Sequence, residues 1–244
     1  MSIFNKLFGS KKENSSENLN SSKTHGLNTP MEEVKRNTEG YVNLGRSIFP
    51  VLKREDDEGI KITENINPLV KIQFIDGIVL CFVIDTGEKL ERISQSRLKQ
   101  YNLDTDIVLN TALRNLVDKI NENLKIRIHD YSSSNPEIKP FYEIEFDRNY
   151  NPSIMLLDDF WDTTAKEITK SDLIAVSIPA TNIIFMSDFK LMESFRTMIP
   201  FASSLYDGSL QERLQLTKDT YIRKDGKWIK FLDTEEQFME LMDY

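Results

Sequence analysis

The chain has 244 residues, 39% hydrophobic and 10% aromatic, enough apolar material for one large core or two smaller ones. Its 31 basic and 39 acidic side chains leave a net charge of −8, a surface that repels phosphate backbones and argues against a nucleic-acid partner. One cysteine, Cys81, excludes an intrachain disulfide and fits a reducing compartment.

Residues 1–40 read as a tail. "SIFNKLFG" places Ile3, Phe4, Leu7 and Phe8 on one helical face, with Lys6, Lys11 and Lys12 nearby. That pattern suits a short anchor giving weak contact with a membrane surface or a partner groove. It also suits a frayed end, since so short a helix is marginal by itself. From Lys11 to Gly26 the chain is Ser, Asn, Lys and Glu, with too little to bury to offset its ordering entropy, so a flexible tail is expected. Residues 1–40 carry six basic and five acidic side chains, so the acidity belongs to the remainder, at about −9. The run from Lys53 to Pro68, with Glu55, Asp56, Asp57 and Glu58 together, reads as a solvated loop.

From Leu69 the pattern sharpens. "LVKIQFI", Asp76-Gly77 and "IVLCFVID" predict a hairpin, and the second strand, apolar on both faces, should be central. "DTGE" predicts another turn and "KLERIS" a third strand. Ser94 or Ser96 opens a short helix. Asp104 or Asp106 caps a longer one, with Ile107, Val108, Ala112, Leu113, Leu116, Val117 and Ile120 recurring at three and four. "KIRIHDY" and "FYEIEFD" alternate around a loop. "SIMLL" reads as a strand or buried run, and a helix follows it. "LIAVSIPATNIIFMSD" is a hairpin turning at residues 179–182. "FKLMESFRTMI" is helical, with Leu191, Phe195 and Met198 inward. "TYIRKDGKWIKF" is a hairpin, and Asp233 or Thr234 caps a final helix.

Hairpins dominate and no βαβ alternation appears. The expected fold is α+β: mostly antiparallel sheet built from hairpins, with helices packed on one face and a disordered N-terminal tail. Residues 41–244 form a single α+β domain, or two sub-lobes divided near 124. No apolar run approaches the roughly 18 residues of a membrane span, and no secretory signal is apparent, so a cytoplasmic location is expected.

Chemical motifs are few. The two histidines, His25 and His129, are not spaced as metal ligands, and His129 falls on the polar phase of its strand. Cys81 sits in an apolar run, as a small buried hydrophobe would. No glycine-rich strand-to-helix turn cradles phosphate, and the Asp-Gly pairs are turns rather than calcium loops. No cofactor and no metal are expected. The most chemical stretch is "LLDDFWD". Asp158 can cap the helix that follows it, while Asp159 and Asp162 can face the positive end of the helix dipole. The same three carboxylates are the candidates for acid–base catalysis if another element supplies partners.

"FIDGIVLCFVIDTGEKLERISQSRLKQYNL", then "ALRNL", "LLDDFWD" and "SDLIAVSIPATNIIFMSD", occur in an order that resembles the bacterial YtpQ-like family. The likeness spans roughly residues 69–201. Tyr101 stands where that pattern has tryptophan. The resemblance implies a cytoplasmic α+β domain and brings no activity, cofactor or catalytic residue. The expected function is a non-enzymatic protein-interaction module, of adaptor or immunity type, facing a partner with a basic surface. The alternatives are a carboxylate-dependent hydrolase using Asp158, Asp159 and Asp162, and a peripheral membrane protein tethered by residues 3–8.

Overall fold

The computed structural model describes residues 45–64, 66–208 and 214–242. The proposed anchor of Ile3, Phe4, Leu7 and Phe8 lies outside them. From Leu44 onward the chain forms one compact unit. It is α+β, with every strand pairing antiparallel.

A four-stranded sheet comes first: β1 (Ile48–Arg54), β2 (Lys71–Ile75), β3 (Ile78–Asp85) and β4 (Leu90–Arg92). β3 pairs with β1 along one side, and with β2 and then β4 along the other. Its central place explains why "IVLCFVI" is apolar at every position, and all seven of those residues are buried. Gly77 takes φ +72° in the turn between β2 and β3, the left-handed geometry an Asp-Gly hairpin requires.

Two elements arise where no regular structure is expected from the sequence. β1 contains Pro50, which cannot donate to a ladder and so belongs on an edge. Two of its carbonyls are covered by side chains. Asn115 Nδ2 donates to Ile48 O at 2.8 Å and to Gly45 O at 2.7 Å, and Ser153 Oγ donates to Pro50 O at 2.9 Å. The acidic stretch after β1 folds into α1 (Glu58–Glu64) rather than a loop. Asp57 accepts a hydrogen bond from Ile60 N at 3.2 Å, and Ile60 is the one side chain of α1 that is buried. A single inward residue leaves no periodicity to read.

α2 (Gln95–Tyr101) is capped by Ser94, and α3 (Thr105–Asn123) by Asp104, whose carboxylate accepts from Ile107 N at 2.7 Å. Five of the seven expected inward positions on α3 are buried. Ile107 and Val117 are 50% and 38% exposed, and Leu109 and Asn115 point inward instead. α3 packs against β1.

The second sheet has six strands: β5 (Lys125–His129), β6 (Phe141–Glu145), β7 (Ile174–Ala180), β8 (Ile183–Asp188), β9 (Thr220–Lys224) and β10 (Lys227–Lys230). They lie in the order β10-β9-β7-β8-β6-β5. The strands of the two sheets separate in sequence at Leu124.

Between β6 and β7 runs the stretch that the sequence reads as a strand or a buried run, and it is a buried run. "SIMLL" is not a strand. Asn151–Leu156 is a fully buried 3-10 turn. Asn151 Oδ1 accepts from Phe146 N at 2.9 Å and from Asp147 N at 3.0 Å, which closes the chain on itself as it leaves β6. Pro152, in the first turn, has no N–H to satisfy there. A π-helical turn (Phe160–Ala165) follows and continues into α4 (Lys166–Thr169). α5 (Met192–Gly208) and α6 (Glu235–Leu241) then pack on one face of the six-stranded sheet. The core there joins Phe141, Phe185, Ile222, Phe195, Met198 and Leu241.

Asn115 tests the covering of β1. Replacing it with leucine adds apolar volume at a buried helical position yet strips the carbonyl of Ile48 of its donor. We expect Asn115→Leu to lose about 2 kcal/mol in urea unfolding. An unchanged or higher midpoint would show that β1 needs no such cover.

Candidate functional site

The acidic stretch is tied to the six-stranded sheet. Asp158 is the first helical residue before the π turn, and its Oδ1 accepts from Arg223 Nη2 of β9 at 2.7 Å. Asp162 Oδ2 stands 3.7 Å from the same nitrogen. The Arg223 side chain is 3% exposed, against 26% for Asp158 and 46% for Asp162. A guanidinium this deep needs a counter-charge, because an isolated buried ion costs far more than the fold can spare. Arg223 Nε has no hydrogen-bond partner among the described residues. The ring of Trp228, directly across the hairpin, lies 5.3 Å from the guanidinium carbon and offsets part of that cost.

The aromatics of the stretch complete the arrangement. Trp161 is fully buried and meets Trp228 edge-on at 5.0 Å. Its Nε1 donates to Ile154 O at 2.9 Å, and Trp228 Nε1 donates to Met155 O at 3.1 Å. Trp228 thus gives Met155 O a donor, and Trp161 adds a second donor to Ile154 O, which also accepts from Leu157 N at 3.0 Å. Asp159 is exposed and accepts no helix-capping bond through its side chain; its backbone carbonyl accepts from Thr163 Oγ1 at 2.5 Å. Of the three candidate carboxylates, the structure brings Asp158 and Asp162 together on Arg223 and does not bring Asp159 to them through that contact. Arg223 was not among the expected site residues. The signal lay in the hairpin: a two-residue Asp-Gly turn puts Arg223 opposite Trp228.

His129 differs from the surface position its alternation suggested. Its ring stacks on Phe141 at 4.8 Å and lies 5.3 Å from Phe201 of α5, and Nε2 lies 2.9 Å from Glu143 Oε2. Register decides this: His129 pairs with Phe141, so both lie on the face that α5 covers. The isoleucines of β5 face the other way, and Ile128 is 61% exposed. Cys81 is buried, and desolvation pushes its thiol up to about 11, so little thiolate forms at neutral pH. Tyr150 is held as a neutral phenol by burial and by donation to Asp85 Oδ2 at 2.8 Å.

Two surface cavities stand apart from the acidic stretch, and none of Asp158, Asp159 and Asp162 lines either. One, of about 480 Å³, lies among Arg54, Asp56, Asp76 and Asp219 and mixes both charge signs. The other, of about 360 Å³, is lined by Arg92 and Arg97 with hydroxyl and carboxamide side chains and no acidic one. Among the described residues no group of three or more His, Cys, Asp or Glu could hold a metal ion, and no helix is long and apolar enough to cross a membrane. No family model, no curated protein and no solved structure matches the chain.

The pairing of Asp158 with Arg223 has an asymmetric consequence. Removing Asp158 takes away the one carboxylate hydrogen-bonded to the buried cation and leaves Asp162, at 3.7 Å, as its remaining counter-charge, whereas removing the cation leaves carboxylates with access to water. Asp158→Ala should therefore lose about 3 kcal/mol in urea unfolding, and Arg223→Met about 1 kcal/mol or less. Equal and small losses for both would mean that the pair is not what places the stretch.

Proposed function

We propose that the chain is a non-catalytic, cytoplasmic protein-interaction module, an adaptor or immunity-type protein, that receives an extended segment of its partner along β5. One observation carries this reading. Among the described residues β5 ends the six-stranded sheet with β6 as its neighbour, and Ile128 projects from it largely exposed. An uncovered strand edge presents backbone donors and acceptors that an added strand satisfies.

The usual devices that blunt an edge are weak here. No proline interrupts β5. The charge of Arg127 is drawn across the sheet rather than over the edge, since its Nη1 and Nη2 meet Glu143 at 3.3 Å and Glu145 at 2.5 Å. His129 is held against Phe141 and Glu143. An added strand would find Ile126 and Ile128 on one face, a site for alternate apolar side chains. The acidity of the chain beyond its first 40 residues favours a partner with a basic surface, which raises the encounter rate more than the final affinity. The carboxylates of the acidic stretch support this reading over hydrolysis, because Asp158 and Asp162 serve Arg223.

The test compares tagged full-length protein with its Ile128→Lys variant in recovery from native extract. Ile128 is exposed, so the variant should keep the wild-type melting temperature within about 2 °C. The expected result is a stoichiometric partner held by the wild type and reduced at least about tenfold by the variant. Equal recovery by both, or no stoichiometric partner with either, would overturn the proposal.

A further inference from the structure

The geometry points to a second binding site, independent of the β5 edge: the cavity beside β4 and α2 takes the phosphate group of a small, polar phosphomonoester. Its lining brings the guanidinium groups of Arg92 and Arg97 together with the hydroxyls of Ser94 and Ser96 and the carboxamides of Asn67 and Gln100. No acidic side chain lines it, in a chain whose net charge is −8. Two fixed cations with neutral donors around them match a dianion.

Each arginine is held in place from outside the cavity. The Arg92 guanidinium lies flat against the backbone of α1 at Gly59. A Cβ there would fall 2.6 Å from Nη1 and 2.7 Å from Nη2, so any larger residue would displace the group. Asp57 stands behind it, 3.6 Å from Nη2, too far to saturate it. Arg97 is anchored by Glu91, whose Oε2 accepts from Nη2 at 2.7 Å, and by a side-chain hydrogen bond with Tyr101. Neither carboxylate belongs to the lining. Both arginine side chains are about one-third exposed, at 35% and 30%, and both line the cavity.

The neutral groups are available as well. Ser94 and Ser96 share one hydrogen bond at 3.1 Å, which leaves a hydroxyl proton to donate elsewhere. The side-chain amides of Asn67 and Gln100 have no hydrogen-bond partner among the described residues. Together these groups offer more donors than the roughly four lone-pair sites of one carboxylate can accept, whereas the three terminal oxygens of a phosphate group can take them. The cavity, at about 360 Å³, has room beyond the phosphate for a small ester group. Seven of the eight lining side chains are polar, Leu69 being the exception, which favours a polar ester group.

Calorimetric titration of the full chain with inorganic phosphate and with glycerol phosphate, at matched ionic strength, tests this. The variants are Ser96→Asp, which places a carboxylate in the cavity, and Ser133→Asp, which makes the same charge change in the loop after β5. Ser96 is exposed in the first turn of α2, where a carboxylate suits the helix, so the fold should persist. Saturable binding of both probes is expected, with glycerol phosphate at least as tight as inorganic phosphate. Ser96→Asp should weaken it at least about tenfold, and Ser133→Asp less than about twofold. Absence of saturable binding by the wild type, or equal loss in both variants, would overturn the site. Glycerol phosphate binding much more weakly than inorganic phosphate would overturn its assignment to an ester. Because these readouts involve neither Ile128 nor a protein partner, the site and the β5 proposal fail separately.

Discussion

A buried turn that is neither helix nor strand must find donors for its carbonyls, and in this chain that requirement organises the centre of the molecule. Asn151–Leu156 is buried at every position. Unsatisfied backbone groups so placed would each cost about 1–3 kcal/mol. Trp228, from the sheet, supplies an indole N–H to Met155 O, and Trp161, from the π turn, adds a second donor to Ile154 O beside Leu157 N. Asn151 and Ser153 use the same segment to reach the β7–β8 turn, through Asn182 O at 3.0 Å, and the edge of β1. One short connection is therefore bonded to both sheets.

Seen from that joint, the acidity around Trp161 is a consequence of what lies beneath it. β9 carries Arg223 to a depth where charge needs an opposite partner, and Asp158 and Asp162 arrive on the turn that Trp161 anchors. The π-helical geometry is a rare one that often accompanies functional sites. Here it coincides with a structural duty: Phe160, Trp161 and Ala165 are buried while the two carboxylates stay partly in water. The features proposed for recognition lie elsewhere, at the β5 edge of one sheet and in the arginine-lined cavity beside the other.

The elements that the sequence announces share one property: their signal is local. Asp76-Gly77 and Asp225-Gly226 specify hairpins through two residues, and Asp104, Ser94 and Thr234 specify helix starts through one hydroxyl or carboxylate. β3 declared its central place by being apolar throughout. What stayed hidden was decided by distant partners. "SIMLL" is as apolar as a strand, and only the pull of Asn151 on residues 146 and 147 and the two indoles makes it a turn. β1 carries a proline, tolerated because the strand lies at the sheet edge, where Asn115 and Ser153 bond carbonyls from 67 and 103 residues away. His129 followed the alternation of its strand faithfully, yet the covered face was the one set by α5, which alternation does not identify. In the acidic stretch the residues were visible and their partner was not, since Arg223 lies 65 residues beyond Asp158.

The central claim is that the joint around Trp161 opens only when the whole domain does. The chain has two tryptophans, so their indole N–H signals can be assigned and followed by hydrogen exchange. If the account is right, the Trp161 indole exchanges only through global unfolding, with a protection free energy equal to that from urea denaturation. Exchange of Trp161 through a local opening, insensitive to denaturant and far faster than the core strand β7, would contradict it.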